Sequence, residues 1–253
     1  MTLVRDVDRS PLRWGKIAII VVAVILAIPL FSPIILRTLL FQPFYIPAQS
    51  MMPTLLEGDS LFVSKYAYGY SRYSLPFSPR LFSGRIFGSM PERGDVVVFR
   101  MPKNDSVDYI KRVVGLPGDR IQMQQGLLYI NGVPVERQRL PDFVGDEPCG
   151  IGFPSRTKRW RETLVNGASY ETLDCVDNGY YDNTVVYTVP DGHVFMLGDN
   201  RDNSTDSRVR SAVGYVPLEN LVGRAGLIYF SRMPDSDRAA SMVRTERIGM
   251  LVR

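Results

Sequence analysis

Histidine and cysteine are scarce in this chain of 253 residues. His193 is the one histidine, and Cys149 and Cys175 are the two cysteines. Structural zinc sites usually combine four such ligands, so we expect neither a metal site nor a cofactor. Catalysis by a histidine would depend on His193 alone, which lies at the start of a predicted strand, where a structural role is the simpler interpretation.

Blocks of positive charge and low-complexity segments are missing as well. The 30 Lys and Arg residues are mixed with 26 Asp and Glu, which leaves a net charge of +4. A nucleic-acid-binding protein usually concentrates basic residues in one patch, so nucleic acid is not the expected partner. Hydrophobic residues form 45% of the chain, which suits a folded domain with a packed core.

Charge is absent from residues 17–36, IAIIVVAVILAIPLFSPIIL. About 20 apolar residues in a helix cross the hydrocarbon of a bilayer, and basic residues before the run favour a cytoplasmic N-terminus. The run is longer than the apolar part of a cleaved signal peptide, and no A-x-A cleavage site with suitable flanks follows it. We predict a cytoplasmic segment at 1–16, a transmembrane helix at 17–36 and an exported domain at 40–253. An oxidising compartment would favour a disulfide between Cys149 and Cys175 over two free thiols.

Short runs of Val, Ile, Phe and Tyr, separated by Gly and Asp, dominate the rest of the chain. These runs predict strands at 59–63, 95–99, 109–114, 120–123, 127–130, 185–189, 193–197 and 221–230. Asn131-Gly132 between two of them predicts a type I′ hairpin turn. We expect a mostly β fold, a coiled antiparallel β-sheet domain preceded by the N-terminal helix.

Three segments depart from this strand pattern. Residues 140–183 contain both cysteines and many polar residues, and they are predicted to form an inserted β-rich lobe. Residues 66–90 are aromatic and contain prolines, which favours a packed loop whose rings could also lie at lipid headgroups. The charged tail after Met233 is expected to lie on the surface or to be mobile.

Ser50 and Lys111 are the residues best suited to chemistry. Ser50 lies in IPAQSMMPTL, residues 46–55, where two prolines stiffen the backbone, and a serine needs a base within hydrogen-bond distance to become a nucleophile. In the strand pattern DYIKRVVG, alternation places Lys111 and Arg112 on opposite faces, so at least one faces inward or borders a cleft. A lysine among apolar neighbours has a lowered pKa and can accept a proton; the alternative is a cross-strand ion pair.

Residues 198–208, GDNRDNSTDSR, follow a predicted strand with dense polar and charged side chains. Calcium loops alternate acidic residues around a central glycine. Here the glycine comes first, so a hydrogen-bonded turn network is the better interpretation.

The three segments together resemble the bacterial type I signal peptidases. The nucleophile motif of that family is matched at 47–54, its lysine motif at 109–119 and its third motif at 198–208. These matches follow the family's order, and the strand RGDVVVF at 93–99 also fits. The likeness extends from the apolar run to about Met233.

The resemblance implies a serine endopeptidase anchored in the bacterial inner membrane, in contact with membrane lipid, with its catalytic domain on the exported, periplasmic side. Ser50 would be the nucleophile, Lys111 the general base and Ser204 the residue that orients Lys111. Asp206 and Arg208 would brace their loop as an ion pair. The substrates would be precursor proteins whose signal peptides end in an A-x-A pattern. The residues implied at the substrate pockets are Ile46, Met51, Leu55, Val98, Asp108, Tyr109 and Ile110.

One position departs from the family pattern. Many members carry Ser or Thr two residues before the nucleophile, as a second oxyanion donor beside the nucleophile's own N–H, and this chain has Ala48. The residues also leave other functions open. These are a Ser50 hydrolase that uses His193, a Ser/Lys protease with a specialised precursor substrate, and a non-enzymatic, membrane-tethered scaffold.

Overall fold

The N-terminal part of the chain is helical. The computed structural model describes residues 11–75, 77–145, 148–150, 156–233 and 242–253. A helix, α1, spans Pro11–Leu39 and extends beyond the predicted apolar run on both sides. Within the described part of the chain, no helix meets the combined length and hydropathy expected of a membrane span. The first ten residues of the predicted cytoplasmic segment lie outside the described residues.

Strands make up most of the regular structure after α1. Val, Ile, Phe and Tyr recur in them because β-branched and aromatic side chains suit a pleated, half-buried surface. The strands are β1 Phe41–Tyr45, β2 Asp59–Ser64, β3 Val96–Met101, β4 Asn104–Gly115, β5 Arg120–Gln124, β6 Leu127–Ile130, β7 Val133–Pro134, β8 Glu136–Val144, β9 Arg156–Thr163, β10 Ser169–Asp174, β11 Tyr187–Thr188, β12 His193–Leu197, β13 Val216–Pro217 and β14 Leu221–Ser231. Short 3-10 helices lie at Lys65–Tyr68, Arg72–Ser74, Leu218–Asn220 and Thr245–Arg247.

The strands form three antiparallel sheets. The largest has the order β1-β2-β14-β3-β4-β12-β13, and the smaller ones have the orders β10-β9-β8 and β11-β5-β6-β7. The prediction of a mostly β fold with antiparallel pairing is therefore confirmed. In the largest sheet β4 lies between β3 and β12, a central position that makes its inward side chains part of the core.

Local predictions agree with the strands in most places. Asn131 and Gly132 have φ values of 55° and 81°, as a type I′ turn requires at both central positions. Of the predicted strand at 185–189, only the two residues of β11 form a strand, and they pair with β5. β1 was not predicted because it contains Pro43, but it lies at a sheet edge, where proline is tolerated.

The predicted insertion at 140–183 contains most of the three-stranded sheet. Its first strand, β8, begins at Glu136, before the predicted boundary. Cys149 and Cys175 are bonded to each other, which ties the chain ahead of β9 to the residue that follows β10.

Residues 66–75 and 77–90 form a packed loop that contains short 3-10 helices. The Arg85 side chain donates hydrogen bonds to the carbonyls of Tyr68 at 2.7 Å and Leu221 at 2.8 Å, so it joins the loop to the start of β14. Phe87 at the far end of the loop remains exposed.

Residues 242–253 lie on the surface, as expected for the tail, since Met242 and Leu251 are exposed, but they are also hydrogen-bonded to the sheet. Gly249 donates a backbone hydrogen bond of 2.8 Å to Ile228 of β14, and Arg247 is only 9% exposed. Arg247 is the buried exception in this part of the tail, because it pairs with the buried carboxylate of Asp59 at 2.6 Å.

Candidate active site

Ser50 lies in a segment of tight turns between β1 and β2. The N–H of Met52 donates to the Gln49 carbonyl at 3.0 Å, and the N–H of Leu55 donates to the Met51 carbonyl at 2.9 Å. The side chains of Met51 and Leu55 are fully buried. The core therefore holds the backbone on the C-terminal side of Ser50, while Ser50 itself stays partly accessible.

Lys111 reaches Ser50 from the centre of the largest sheet. Lys111 is 3% exposed, and its Nζ donates to Ser50 Oγ at 2.6 Å and to the Ile110 carbonyl at 2.9 Å. Both partners are neutral oxygens, unlike the carboxylate of a cross-strand ion pair. The structure thus brings together the two residues that the sequence singled out for chemistry.

The surroundings of Lys111 favour its neutral form. Burial lowers the pKa of Lys111 from 10.5 to about 8, because the ammonium form loses its hydration. The charges of Asp206 and Asp199 oppose this effect and Arg208 adds to it, but burial is the largest cause. Near neutral pH a fraction of Lys111 is unprotonated, and at 2.6 Å its Nζ can accept the hydroxyl proton of Ser50.

The loop at 198–208 closes over the same region through a buried ion pair. Arg208 Nε and Nη2 donate to the two oxygens of Asp206 at 2.9 and 2.8 Å. Asp206 also accepts the N–H of Gly198 at 3.1 Å. Burial by itself would raise the pKa of Asp206, but Arg208 beside it lowers that pKa, so the carboxylate stays ionised. The pair therefore joins the two ends of the loop.

Ser204 of this loop packs beside the nucleophile segment. A Cβ on Gly198 would lie 2.2 Å from Ser204 Oγ and 2.5 Å from the Ser50 carbonyl oxygen, so only glycine fits at this close approach. Among the described residues, no hydrogen bond joins Ser204 Oγ to Lys111 Nζ. Its predicted role of orienting Lys111 therefore stays a prediction.

Arg112 extends from β4 into a second polar network. Its Nε and Nη2 donate to the Asp199 carboxylate at 2.8 and 2.6 Å, and Thr54 Oγ1 donates to the same carboxylate at 2.5 Å. Its guanidinium lies 4.1 Å from the ring centroid of Tyr170 in the lobe. The sequence did not identify this network, although a charge inside an apolar strand pattern must find a partner when buried.

A cleft of about 350 Å³ opens at the Ser50–Lys111 pair. Three of the predicted pocket residues, Asp108, Tyr109 and Ile110, line it together with Pro47, Ala48, Gln49, Ser50, Lys111, Asn203 and Thr205. The other predicted pocket residues do not line it, because they are buried in one core cluster against which Ile110 packs: Ile46, Met51, Leu55 and Val98. Sequence reasoning missed Gln49, Asn203 and Thr205, although each is adjacent to Ser50 or Ser204 in the motifs.

Two alternatives from the sequence gain no support from the geometry. The Nδ1 atom of His193 lies 2.8 Å from the Asp191 carbonyl, and His193 is not among the described residues that line the cleft. Among the described residues, no group of three or more His, Cys, Asp or Glu side chains is placed to hold a metal ion.

Known proteins match most of the chain. Residues 12–230 match the family model described as "Signal peptidase, peptidase S26". The chain is 46% identical to the signal peptidase I of Rickettsia typhi over 206 residues, which cover 78% of this chain and 75% of that protein. It is 43% identical to the signal peptidase I of Rickettsia conorii over 227 residues, which cover 87% of this chain and 79% of that protein.

A solved structure is also similar in sequence. The crystal structure of a signal peptidase I from Enterococcus faecalis is 27% identical and covers 54% of this chain and 97% of its own, with a TM-score of 0.31. That score is too low for a comparison of the two folds. The family match and the two relatives are sufficient: the chain belongs to the signal peptidase family, peptidase S26.

Proposed function

We propose that this protein removes N-terminal signal peptides from exported precursor proteins, with Ser50 as nucleophile and Lys111 as general base. Signal peptidases of this family are serine endopeptidases, so the chain is a hydrolase. The observation that supports the assignment of residues is the 2.6 Å contact between Lys111 Nζ and Ser50 Oγ in a cleft open to solvent. A buried lysine without a carboxylate partner is costly to keep charged, which favours its use as a base.

The proposed reaction has two steps. Ser50 Oγ attacks the carbonyl carbon before the scissile bond and gives its proton to neutral Lys111. The lysine then passes that proton to the departing amine, which is the new N-terminus of the mature protein, and an acyl-enzyme remains. In the second step Lys111 takes a proton from water, the hydroxide attacks the ester, and the proton returns to Ser50 Oγ.

The tetrahedral intermediate needs donors for its oxyanion. The backbone N–H of Ser50 is the proposed donor, since no described residue accepts a hydrogen bond from it. Ala48 lines the cleft beside it and has no hydroxyl to offer as a second donor. The loss of one such donor costs about 10²–10³-fold in rate in a well-studied protease, so we expect a slower enzyme than one with a hydroxyl at this position.

The loop at 198–208 is proposed to support the base. Ser204, packed beside the Ser50 backbone, would orient the Lys111 amine, and the Asp206–Arg208 pair would hold the loop in place. This arrangement would do for Lys111 what the third residue of a catalytic triad does for histidine.

Small residues in the A-x-A pattern are the proposed specificity. Asp108, Tyr109 and Ile110 form one wall of the cleft, and an extended substrate could lie along this wall. Ile110 packs against the buried cluster that contains Ile46, Met51, Leu55 and Val98, so that cluster would limit the depth of any pocket beside the wall. A shallow apolar pocket admits alanine and excludes larger side chains.

We also propose that α1 anchors the protein in the bacterial inner membrane, with the sheets on the exported side. The basis is the uncharged run at 17–36 and its exposure: Ile19, Ile20, Val21 and Val22 are consecutive and all exposed. Four successive positions cover every face of a helix, so these faces need an apolar surrounding. Only β1 and a short turn segment separate the end of α1 from Ser50, which would place the cleft close to the bilayer.

A cleavage assay tests the proposal. The full chain in detergent is incubated with a secretory precursor that carries an A-x-A site, and with the same precursor carrying Phe before the scissile bond. We expect the first to be cut and the second to resist. Ser50→Ala should lower the rate by about 10³-fold or more, whereas Ser60→Ala, a serine of β2 outside the cleft, should not.

The alternative functions predict different outcomes. A Ser50→Ala variant that cuts at the wild-type rate would exclude the proposed nucleophile. Wild-type protein that cuts only an unusual precursor would indicate a specialised Ser/Lys protease, and a wild-type chain without activity would indicate a scaffold.

A further inference from the structure

Residues 242–253 return to the segment that carries Ser50. Arg247 Nε and Nη2 donate to the two carboxylate oxygens of Asp59 at 3.0 and 2.6 Å. Asp59 is fully buried, and its carboxylate also accepts the N–H of Leu56 at 2.8 Å and the hydroxyl of Ser231 at 2.7 Å. The carboxylate thus has several donors; Arg247 is its nearer counter-charge at 2.6 Å, and Arg244 lies 3.6 Å away.

Backbone hydrogen bonds join Asp59 and its neighbour Gly58 to the start of the segment that carries Ser50. The N–H of Ile46 donates to the Asp59 carbonyl at 2.8 Å, and the N–H of Gly58 donates to the Ile46 carbonyl at 2.9 Å. Ile46 precedes Ser50 by four positions. An arginine that holds Asp59 therefore also holds the backbone that leads into Ser50.

Arg247 also binds the end of the segment that carries Ser50. The Nη2 atom that binds Asp59 also donates to the Thr54 carbonyl at 3.0 Å. Thr54 follows Ser50 by four positions, and tight turns fill the chain between them. One guanidinium therefore joins both ends of the loop in which Ser50 sits.

A second contact comes from the end of the described chain. The Arg253 carbonyl accepts a hydrogen bond of 3.1 Å from Arg112 Nη2. The same nitrogen donates to Thr54 Oγ1 at 3.2 Å and to Asp199. Arg112 therefore links the tail to the hydroxyl of Thr54 and to Asp199, which follows Gly198.

The tail is itself fixed to the sheet. Gly249 donates to the Ile228 carbonyl at 2.8 Å, and Ile228 donates back to the Met250 carbonyl at 2.9 Å. Val252 donates to the Gly226 carbonyl at 2.9 Å. Because β14 lies between β2 and β3 in the largest sheet, the tail is anchored to the same sheet that carries Lys111.

We propose that residues 242–253 are a positioning element for the nucleophile, and that Arg247 is its principal positioning residue. Arg247 sets the distance between Ser50 Oγ and Lys111 Nζ by holding both ends of the Ser50 segment. The guanidinium suits this task because two of its nitrogens bind the two oxygens of one carboxylate while one of them also binds a carbonyl; the three donors of a lysine share one nitrogen and cannot form this planar fork. The inference rests on the proposed function, since it assumes that Ser50 attacks.

A comparison of variants in the full chain tests this role. Misplacement of a reacting atom by about 1 Å can cost about 10²-fold in rate. We expect Arg247→Ala to lower kcat by about 10²-fold with KM little changed, and Arg247→Lys, which keeps the charge but not the fork, to lower kcat by about tenfold. The rates are measured with the A-x-A precursor, well below the melting temperature of every variant.

Arg93→Ala provides the matched control. Arg93 donates to the Asp119 carboxylate from Nη2 at 2.7 and 2.6 Å and from Nε at 3.2 Å, and no described hydrogen bond joins its side chain to residues 46–55. Arg93→Ala should lower the melting temperature about as much as Arg247→Ala does, but it should leave kcat unchanged. A purely structural role for Arg247 would make the two variants alike in both measurements.

The outcomes separate the two proposals. If Arg247→Ala and Arg247→Lys are folded and keep the wild-type kcat while Ser50→Ala is inactive, the positioning role is overturned and the proposed function stands. If Arg247→Ala does not fold, Arg247→Lys decides: a wild-type kcat overturns the role. If Ser50→Ala is as active as wild type, the proposed function itself fails.

Discussion

Two buried lysines lie in different parts of this molecule. Lys111 is in β4 at the cleft, and Lys65 follows β2 at the start of a 3-10 helix, where it is 4% exposed. Burial is the main reason why the pKa of each is lowered from 10.5 to about 8. Their partners differ: Lys65 Nζ donates to the Ser74 carbonyl at 2.7 Å, and Lys111 Nζ donates to Ser50 Oγ at 2.6 Å.

The difference shows that a lowered pKa does not by itself identify a base. A carbonyl oxygen has no proton to give, so Lys65 can only anchor the loop that contains Ser74. A hydroxyl has a proton to give, and Ser50 lies at a cleft that is open to solvent. Perturbed pKa values mark candidate sites, but the partner and the access of a substrate decide which candidate is catalytic.

The largest expected effect is on kcat, and replacing each lysine in turn tests the distinction between them. Lys111→Met should lower kcat by about 10³-fold, within the range of general base catalysis, because Ser50 then has no acceptor for its proton. Lys65→Met should leave kcat near the wild-type value. Precursor cleavage by both purified variants gives the measurement, and similar losses in the two would mean that burial, rather than the Ser50 contact, matters.

The pH dependence of activity sharpens the comparison further. Lys111 must be neutral to accept a proton, so kcat/KM should rise about tenfold per pH unit below pH 8 and level off above it. Lys65→Met should show the same curve, because Lys65 Nζ donates to the Ser74 carbonyl and not to Ser50. A kcat/KM that is flat between pH 6 and pH 9 in the wild type would contradict a lysine base.

The smallest expected effect is that of Lys65→Met on the pH dependence of stability. Well below pH 8 both lysines are mostly protonated in the folded and the unfolded chain. Between about 8 and 10.5 the unfolded chain keeps protons that the folded protein has released, so the free energy of unfolding rises with pH through this window. Lys65→Met should reduce that rise by on the order of 1–2 kcal/mol, because the other titrating groups are common to both proteins.

Urea unfolding at pH 7.5 and at pH 10 measures this increment. An unchanged increment in Lys65→Met would show that the folded protein does not lower the pKa of Lys65. Lys111→Met serves as the parallel case, in which both the stability increment and the activity are lost.

Many of the strands could be predicted from local sequence patterns. Strands such as β6 and β12 occur where alternation and β-branched residues predict them, because a strand depends on nearby residues. The hairpin at Asn131-Gly132 was predictable for the same reason: few residue pairs adopt two positive φ values in succession.

The pocket residues were harder to assign from sequence. Leu55 and Val98 are apolar and adjacent to the motifs, but an apolar residue suits a core and a pocket equally well, and here both lie in the core. The buried pair in the tail was not predicted, because the sequence shows the charge of Arg247 without showing that Asp59 lies beside it.

The sequence by itself determined the family and the antiparallel β character, and it supplied the nucleophile and the base proposed above, since each of these depends on residue type at short spacing. Only the tertiary structure decided that Lys111 reaches Ser50, which lies 61 positions away in the chain, and that Arg247 holds Asp59 across 188 positions. The physical reason is that contacts between distant segments depend on how the sheets pack, and no local pattern encodes that packing. The Ser50–Lys111 pair is thus specified by its motifs, but its geometry is produced by the whole fold.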